Sequence, residues 1–174
     1  MWQSAREAMP VALERHDAIL RSAIEGHSGY VFSTGGDGFG AAFARAGEAV
    51  AAAVEAQTAL GAEPWPGSAA IRVRMGLHTG EVTERDGDYF GTPVNQTARL
   101  MAVGHGGQVV CSAVTAALVG AEVKVVDLGE HRLRDLSAAQ RIFQVGDGRF
   151  PPLRTFRRSV SAQCSCTRPH GSAQ

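Results

Sequence analysis

The sequence predicts an α+β domain, an α/β sandwich of alternating helices and hairpins. Three observations predict it. Apolar residues between Ala5 and Ile24 recur at helical spacing. A Gly/Asp-rich tip, "GGDG", separates two short alternating runs. A further run, Ile71 to Leu77, alternates apolar residues with Arg72, Arg74 and Gly76. With 174 residues the chain holds one domain and one sizeable core.

The first element is a helix from Ala5 to Ile24 with Gly26 as its stop. Pro10 marks an early-turn position or a kink in it. The runs "GYVFST" and "FGAAF" around the tip then read as a hairpin. Two other glycine-rich readings fail. A dinucleotide-binding loop needs a helix straight after its glycines, and "FGAAF" starts one poorly. A phosphate loop needs G-K-[ST], which is absent. Ala44 to Leu60 is helical and ends at Gly61, with Pro64 and Pro66 beyond. Ile71 to Leu77 is a strand, "HTGEV" extends or turns it, and "ERDGD" is a turn. Pro93 opens a helix that runs to Met101. "GQVVCS" is a short strand whose Ser112 caps the helix "AVTAALVG". "EVKVVDL" and "QRIFQV" complete the strands. The domain is expected to span 1–148, and 149–174, rich in Pro, Ser and Arg, reads as a linker-like disordered tail.

Composition narrows the function. Basic and acidic residues number 17 each, so a general nucleic-acid binder, which carries a basic excess, is disfavoured. "MWQSAREAMPVALERHD" has no apolar h-region, and Ala49 to Leu60 is too short and too polar to span a bilayer. A cytoplasmic protein without a membrane partner is expected. Cys111, in an apolar run, reads as a buried small hydrophobe. Cys164 and Cys166 form a lone C-x-C, too few ligands for zinc.

Chemistry is legible in two places. Asp37, at the hairpin tip, is either a simple turn residue or an exposed carboxylate for a hard cation such as Mg²⁺. In "DYFGTPVNQTARLM", Asn95 and Arg99 are four apart and share a helix face, with Asp88 just upstream. The trio is either a solvated face or a nucleotide grip: carboxylate for a base amine, amide for ribose, guanidinium for phosphate. His78 in "GLHTG" reads as structural before functional, His105 as a loop residue and His131 as exposed.

Taken together, "VFSTGGDGFGAAF", "RVRMGLHTGEV" and "GDYFGTPVNQTARLM" resemble successive motifs of the class III nucleotidyl cyclases, and "LGEHRLRDLSAAQRIFQV" resembles the closing strands of that domain. The resemblance covers roughly residues 2 to 146. The hairpin alone is also similar to the GG-D-E-F signature of diguanylate cyclases, but the Asn/Arg helix is not theirs. The resemblance implies a ferredoxin-like nucleotidyl cyclase fold that works as a head-to-tail homodimer or heterodimer with another cyclase domain. It implies conversion of ATP, or GTP, to a 3′,5′-cyclic nucleotide and pyrophosphate with two Mg²⁺ or Mn²⁺ ions. By position, Asp37 matches the second metal aspartate and Asp88 the purine-reading aspartate. Asn95 matches the ribose-orienting asparagine and Arg99 the transition-state arginine. Arg134 stands where the family has a triphosphate-binding lysine, and Ser33 where adenylate-forming members have a purine-reading lysine. The family's first metal aspartate lies on a central strand before the first helix, and here Met1-Trp2 already leads into that helix. The sequence therefore also admits a catalytically incomplete subunit, a nucleotide-binding regulatory module or a gene remnant. It also leads one to expect unpaired sheet edges.

Overall fold

The computed structural model describes residues 2–36, 38–66 and 70–155. Helix α1, Trp2–Gly26, buries Ala12, His16, Leu20, Ala23 and Ile24. Their spacing of three and four places them on one face. Pro10 lies inside this helix rather than in its first turn. Strands β1 (Tyr30–Gly35) and β2 (Gly38–Ala42) pair antiparallel, with Gly35 opposite Gly38. Gly36 takes φ +61° in the tip between them, where a side chain is disfavoured. The hairpin reading of the glycine-rich stretch is correct.

Helix α2, Ala46–Ala62, runs past Gly61, the expected stop, because its chain leaves helical geometry only at Glu63. There the Glu63 carboxylate accepts from Arg15 Nε at 3.1 Å and Nη2 at 3.0 Å, tying α2's end to α1. Three elements then surround the second half of the chain: β3 (Met75–Leu77), the hairpin β4 (Thr83–Arg85) and β5 (Asp88–Phe90), and α3 (Thr92–Val103). β6 (Val109–Ser112) leads into α4 (Ala113–Leu118), and β7 (Val125–His131) and β8 (Gln140–Val145) close the sheet. The cap at Ser112 forms as expected, its hydroxyl accepting from the Thr115 N–H.

The expected strand from Ile71 is shorter than its alternation suggests. Only Met75 to Leu77 pair, in parallel with Val109 to Cys111. Upstream, Val73 offers its carbonyl to Gly107 N–H and to the Gln57 amide instead of to a neighbouring strand. Alternation reports two faces but says nothing of a partner strand. Among the described residues the main sheet has the order β3-β6-β8-β7, and the β1–β2 hairpin forms a separate two-stranded sheet.

Two cores flank the sheet. Successive strand residues face opposite sides. Met75 packs with Leu20, Ile24, Ala56 and Leu60 of α1 and α2, and the hairpin's Val31, Phe39 and Phe43 complete that cluster. Gly76 faces the other side, against Met101 of α3. There Leu100, Val103, Val110, Leu133 and Ile142 form the second cluster. Leu100 and Ile142 are fully buried, each contributing about 1.5–3 kcal/mol. Leu153 joins this second cluster, and Arg154 N–H donates to the Val103 carbonyl. Residues 149–155 of the expected tail thus fold back over the domain as a strap, while 156–174, with Cys164 and Cys166, lie outside the described residues. No helix among the described residues is long and apolar enough to cross a membrane.

Gly76 is the tightest of these contacts. A Cβ there would lie 2.6 Å from the Met101 backbone nitrogen. Gly76→Ala is expected to destabilise the fold by about 2 kcal/mol or more, because backbone and not a flexible side chain must yield. Urea denaturation of the two proteins checks it, and an unchanged midpoint would refute the close approach.

Candidate functional site

The site is assembled from two hairpins, one helix and the loop between β7 and β8. Ser33 is exposed on β1, opposite Gly40, beside a register shift between Val31 and Ser33. Its neighbour Phe32 meets the ring of Tyr89 edge to face, 5.2 Å between centroids. Asp88, immediately before Tyr89, opens β5 and is half-buried. It therefore sits in a strand just upstream of the helix. Its Oδ1 accepts from the Tyr89 N–H at 2.8 Å. The aromatic contact brings the strands of Ser33 and Asp88 together. Two left-handed residues, Asp86 (φ 55°) and Gly87 (φ 80°), make the tight β4–β5 turn, as "ERDGD" predicted. Asp37 lies outside the described residues.

Helix α3 opens at Pro93, as the sequence predicted. Gly80 lets the preceding loop pass beneath it, since a Cβ there would lie 2.7 Å from Pro93 Cγ. Asn95 is exposed and Arg99, one turn on, is half-buried. Arg99 Nη2 donates to Asp135 Oδ2 at 2.7 Å. Arg134 Nε lies 3.7 Å from the same oxygen. Arg134 follows Leu133, which is anchored in the second core. The structure thus brings together two of the predicted residues, Arg99 and Arg134, from distant parts of the chain. Both side chains reach solvent, at 41% and 70% exposure. Between them they present two fixed cations to an anion.

Asp135 was not singled out by the sequence. An acid after a base, as in "HRLRDL", is common on any surface, and only the fold shows that Arg99 arrives at the same carboxylate. His78 is structural, as read. Its Nδ1 shares a 2.8 Å hydrogen bond with Ser112 Oγ, which continues through Thr115 Oγ1 to Thr79 Oγ1. This chain of side chains fastens the end of β3 to the α4 cap. Burial holds the His78 pKa below its ordinary value. His131 is half-buried rather than exposed and donates to the Leu128 carbonyl. His105 sits in a loop, and its Nε2 donates to the Pro152 carbonyl of the strap. Cys111 is fully buried, and burial pushes its thiol up to about 11, so it is unreactive at neutral pH.

Comparison with known proteins places the chain in a family. Residues 1–145 match the adenylate and guanylate cyclase catalytic domain. The chain belongs to that family. It is 43% identical over 173 residues to an uncharacterized protein of Mycobacterium tuberculosis, covering 93% of this chain and 58% of that one. It therefore spans little more than half the length of that relative. Among solved structures, an adenylate cyclase from Trypanosoma brucei in its monomeric state superimposes with a TM-score of 0.78 at 26% identity, covering 88% of this chain and 86% of that one. An adenylate/guanylate cyclase/hydrolase from Silicibacter pomeroyi gives 0.69 at 29% identity, covering 82% and 89%. The α+β cyclase fold expected from the motifs is the fold observed.

A cyclase domain of this family implies divalent metal. A hard cation needs about six oxygen ligands, several of them carboxylates. Among the described residues no three His, Cys, Asp or Glu side chains gather to hold one. Asp88 is bonded to its own strand and Asp135 to arginine. The described residues alone do not make a divalent site, and no chemical step is routed through one below.

The half-buried His78 makes a pH prediction. Its folded-state pKa is depressed, so acid protonates the unfolded chain first. Its contribution to stability is full above the unfolded value, about 6.5, and is lost as pH falls below it. Melting temperatures between about pH 7.5 and about pH 5, which bracket that value, should fall more steeply for the natural chain than for His78→Gln. Parallel curves would show that His78 is not coupled to folding.

Proposed function

We propose that this cyclase domain binds a purine nucleoside triphosphate, ATP first, and converts it to 3′,5′-cyclic AMP and pyrophosphate at a site completed by a second cyclase domain. The observation that carries the reading is the convergence of Arg99 and Arg134. Two guanidiniums from separate elements suit a polyphosphate chain better than any neutral ligand. The resemblance in sequence assigns both to phosphate, and its relatives among solved structures include adenylate cyclases.

The reaction forms one bond and breaks one. The ribose 3′-oxygen attacks the α-phosphorus and loses its proton, and the bond to the bridging oxygen breaks to release pyrophosphate. Charge grows on the α-phosphoryl oxygens and on the leaving group. In this reading Arg99 meets the former and Arg134 the latter. Asn95, exposed on the same face one turn before Arg99, offers its amide to the ribose. Asp88 accepts from the exocyclic amine of adenine, with Ser33 on the adjoining strand. A hydroxyl both donates and accepts, so Ser33 tolerates either purine. Tyr30 and Phe90, each about half exposed (53% and 51%) on these two hairpins, offer apolar surface to the second domain. Mg²⁺ or Mn²⁺, with Asp37 among its ligands, belongs to the same proposal.

The purified chain, concentrated and supplied with Mn²⁺ and either ATP or GTP, should release cyclic nucleotide. Arg99→Ala should cut the rate by about a hundred-fold or more and Asn95→Ala by less, with melting temperatures unchanged. Equal rates in the natural chain and Arg99→Ala would refute the assigned role. Nucleotide binding without any product would leave a nucleotide-binding module, the alternative the sequence admits.

A further inference from the structure

Asp135 has no part in that reaction, yet it holds the centre of the phosphate-facing surface. Its Oδ2 accepts from Arg99 Nη2 at 2.7 Å and lies 3.7 Å from Arg134 Nε. A single carboxylate oxygen therefore sits where the two cations would meet an anionic oxygen of the substrate. Its backbone is at φ 61°, a left-handed conformation that a side chain adopts at some cost. The carboxylate is 61% exposed, and among the described residues its side-chain partners are the two arginines.

We propose that Asp135 is a built-in competitor for the substrate phosphates: it pairs with Arg99 and Arg134 in the empty domain and must be displaced when a triphosphate binds. The inference rests on the nucleotide reading above and adds a residue that sets the affinity of the same site. The magnitudes allow displacement. Exposed ion pairs are weak, and one carboxylate faces a ligand carrying about four negative charges. The triphosphate wins, but its net affinity is lowered by the bonds it breaks and by repulsion from the displaced carboxylate. The opposite role, a positioning residue that holds Arg99 ready, predicts the opposite sign, because removing it would then weaken binding.

The test is calorimetric titration of the full chain with inorganic tripolyphosphate and with ATP. Asp135→Asn keeps the size and the tolerance for left-handed backbone while removing the charge. It should bind both probes about five-fold more tightly at low salt, with the gain shrinking as salt screens the charges. The gain should shrink when Arg99→Ala is also present, since the 2.7 Å bond is then gone and only the contact with Arg134 remains. Asp135→Gly, which also relieves the left-handed strain, should show the same gain with an equal or higher melting temperature. Equal or weaker binding by both variants, against measurable binding by the natural chain, would overturn this proposal and leave the nucleotide reading in place. Absence of binding by every variant, the natural chain included, would overturn both.

Discussion

The closeness of α3 to β3 governs the rest of this domain. Gly76 has no side chain, and the Met101 backbone fills the space one would take. Arg99 is two residues from that contact and Asn95 a little over one turn further back. The height of the helix above the sheet therefore sets how far both side chains reach. A lift of one methyl's thickness, roughly 1.5 Å, would take Arg99 from 2.7 Å beyond hydrogen-bonding range of Asp135. The packing of a glycine thus becomes an electrostatic fact at the surface. Gly80 does the same work at the helix start, beneath Pro93.

The charges so placed stand in an open setting. Arg134 is mostly exposed and Arg99 nearly half so, and water and salt screen such groups strongly. The same cations become far stronger once a neighbouring surface excludes water. In the proposed reading, a half-open cation pair and exposed aromatic side chains on the adjoining hairpins suit a surface that a second domain covers. The histidine chain from His78 to Thr79 and the buried Gln108–Gln144 amide pair serve instead to hold strands and caps in register.

Local chemistry was the legible part of this sequence. The Pro93 helix, the Ser112 cap, the "ERDGD" turn and the glycine-rich hairpin each carry their own signal within a few residues. What failed to show depends on partners. The alternation of Ile71 to Leu77 could not say that only its last three residues find a neighbouring strand. The helix stop expected at Gly61 was overridden by the anchor between Glu63 and Arg15. At the site, Arg99 and Arg134 were named by resemblance, but their meeting at Asp135 is tertiary and leaves no local trace. Burial of His16 beside Leu20, on the face of α1, was equally silent, because a histidine in a helical stripe looks polar until its neighbours are known.

The strap after β8 has a mechanical side. The chain turns back at Gly146, seats Leu153 in the second core and hangs its Arg154 N–H on the Val103 carbonyl, the last residue of α3. Its exit at Thr155 is therefore coupled to the end of the helix that carries Asn95 and Arg99 at its start. A pull or a twist delivered through whatever follows Thr155 loads that helix along its axis instead of dissipating in a loose loop. The linkage holds until a few hydrogen bonds, His105 to Pro152 among them, and one half-buried leucine give way, so the force it can pass is small and has an upper limit.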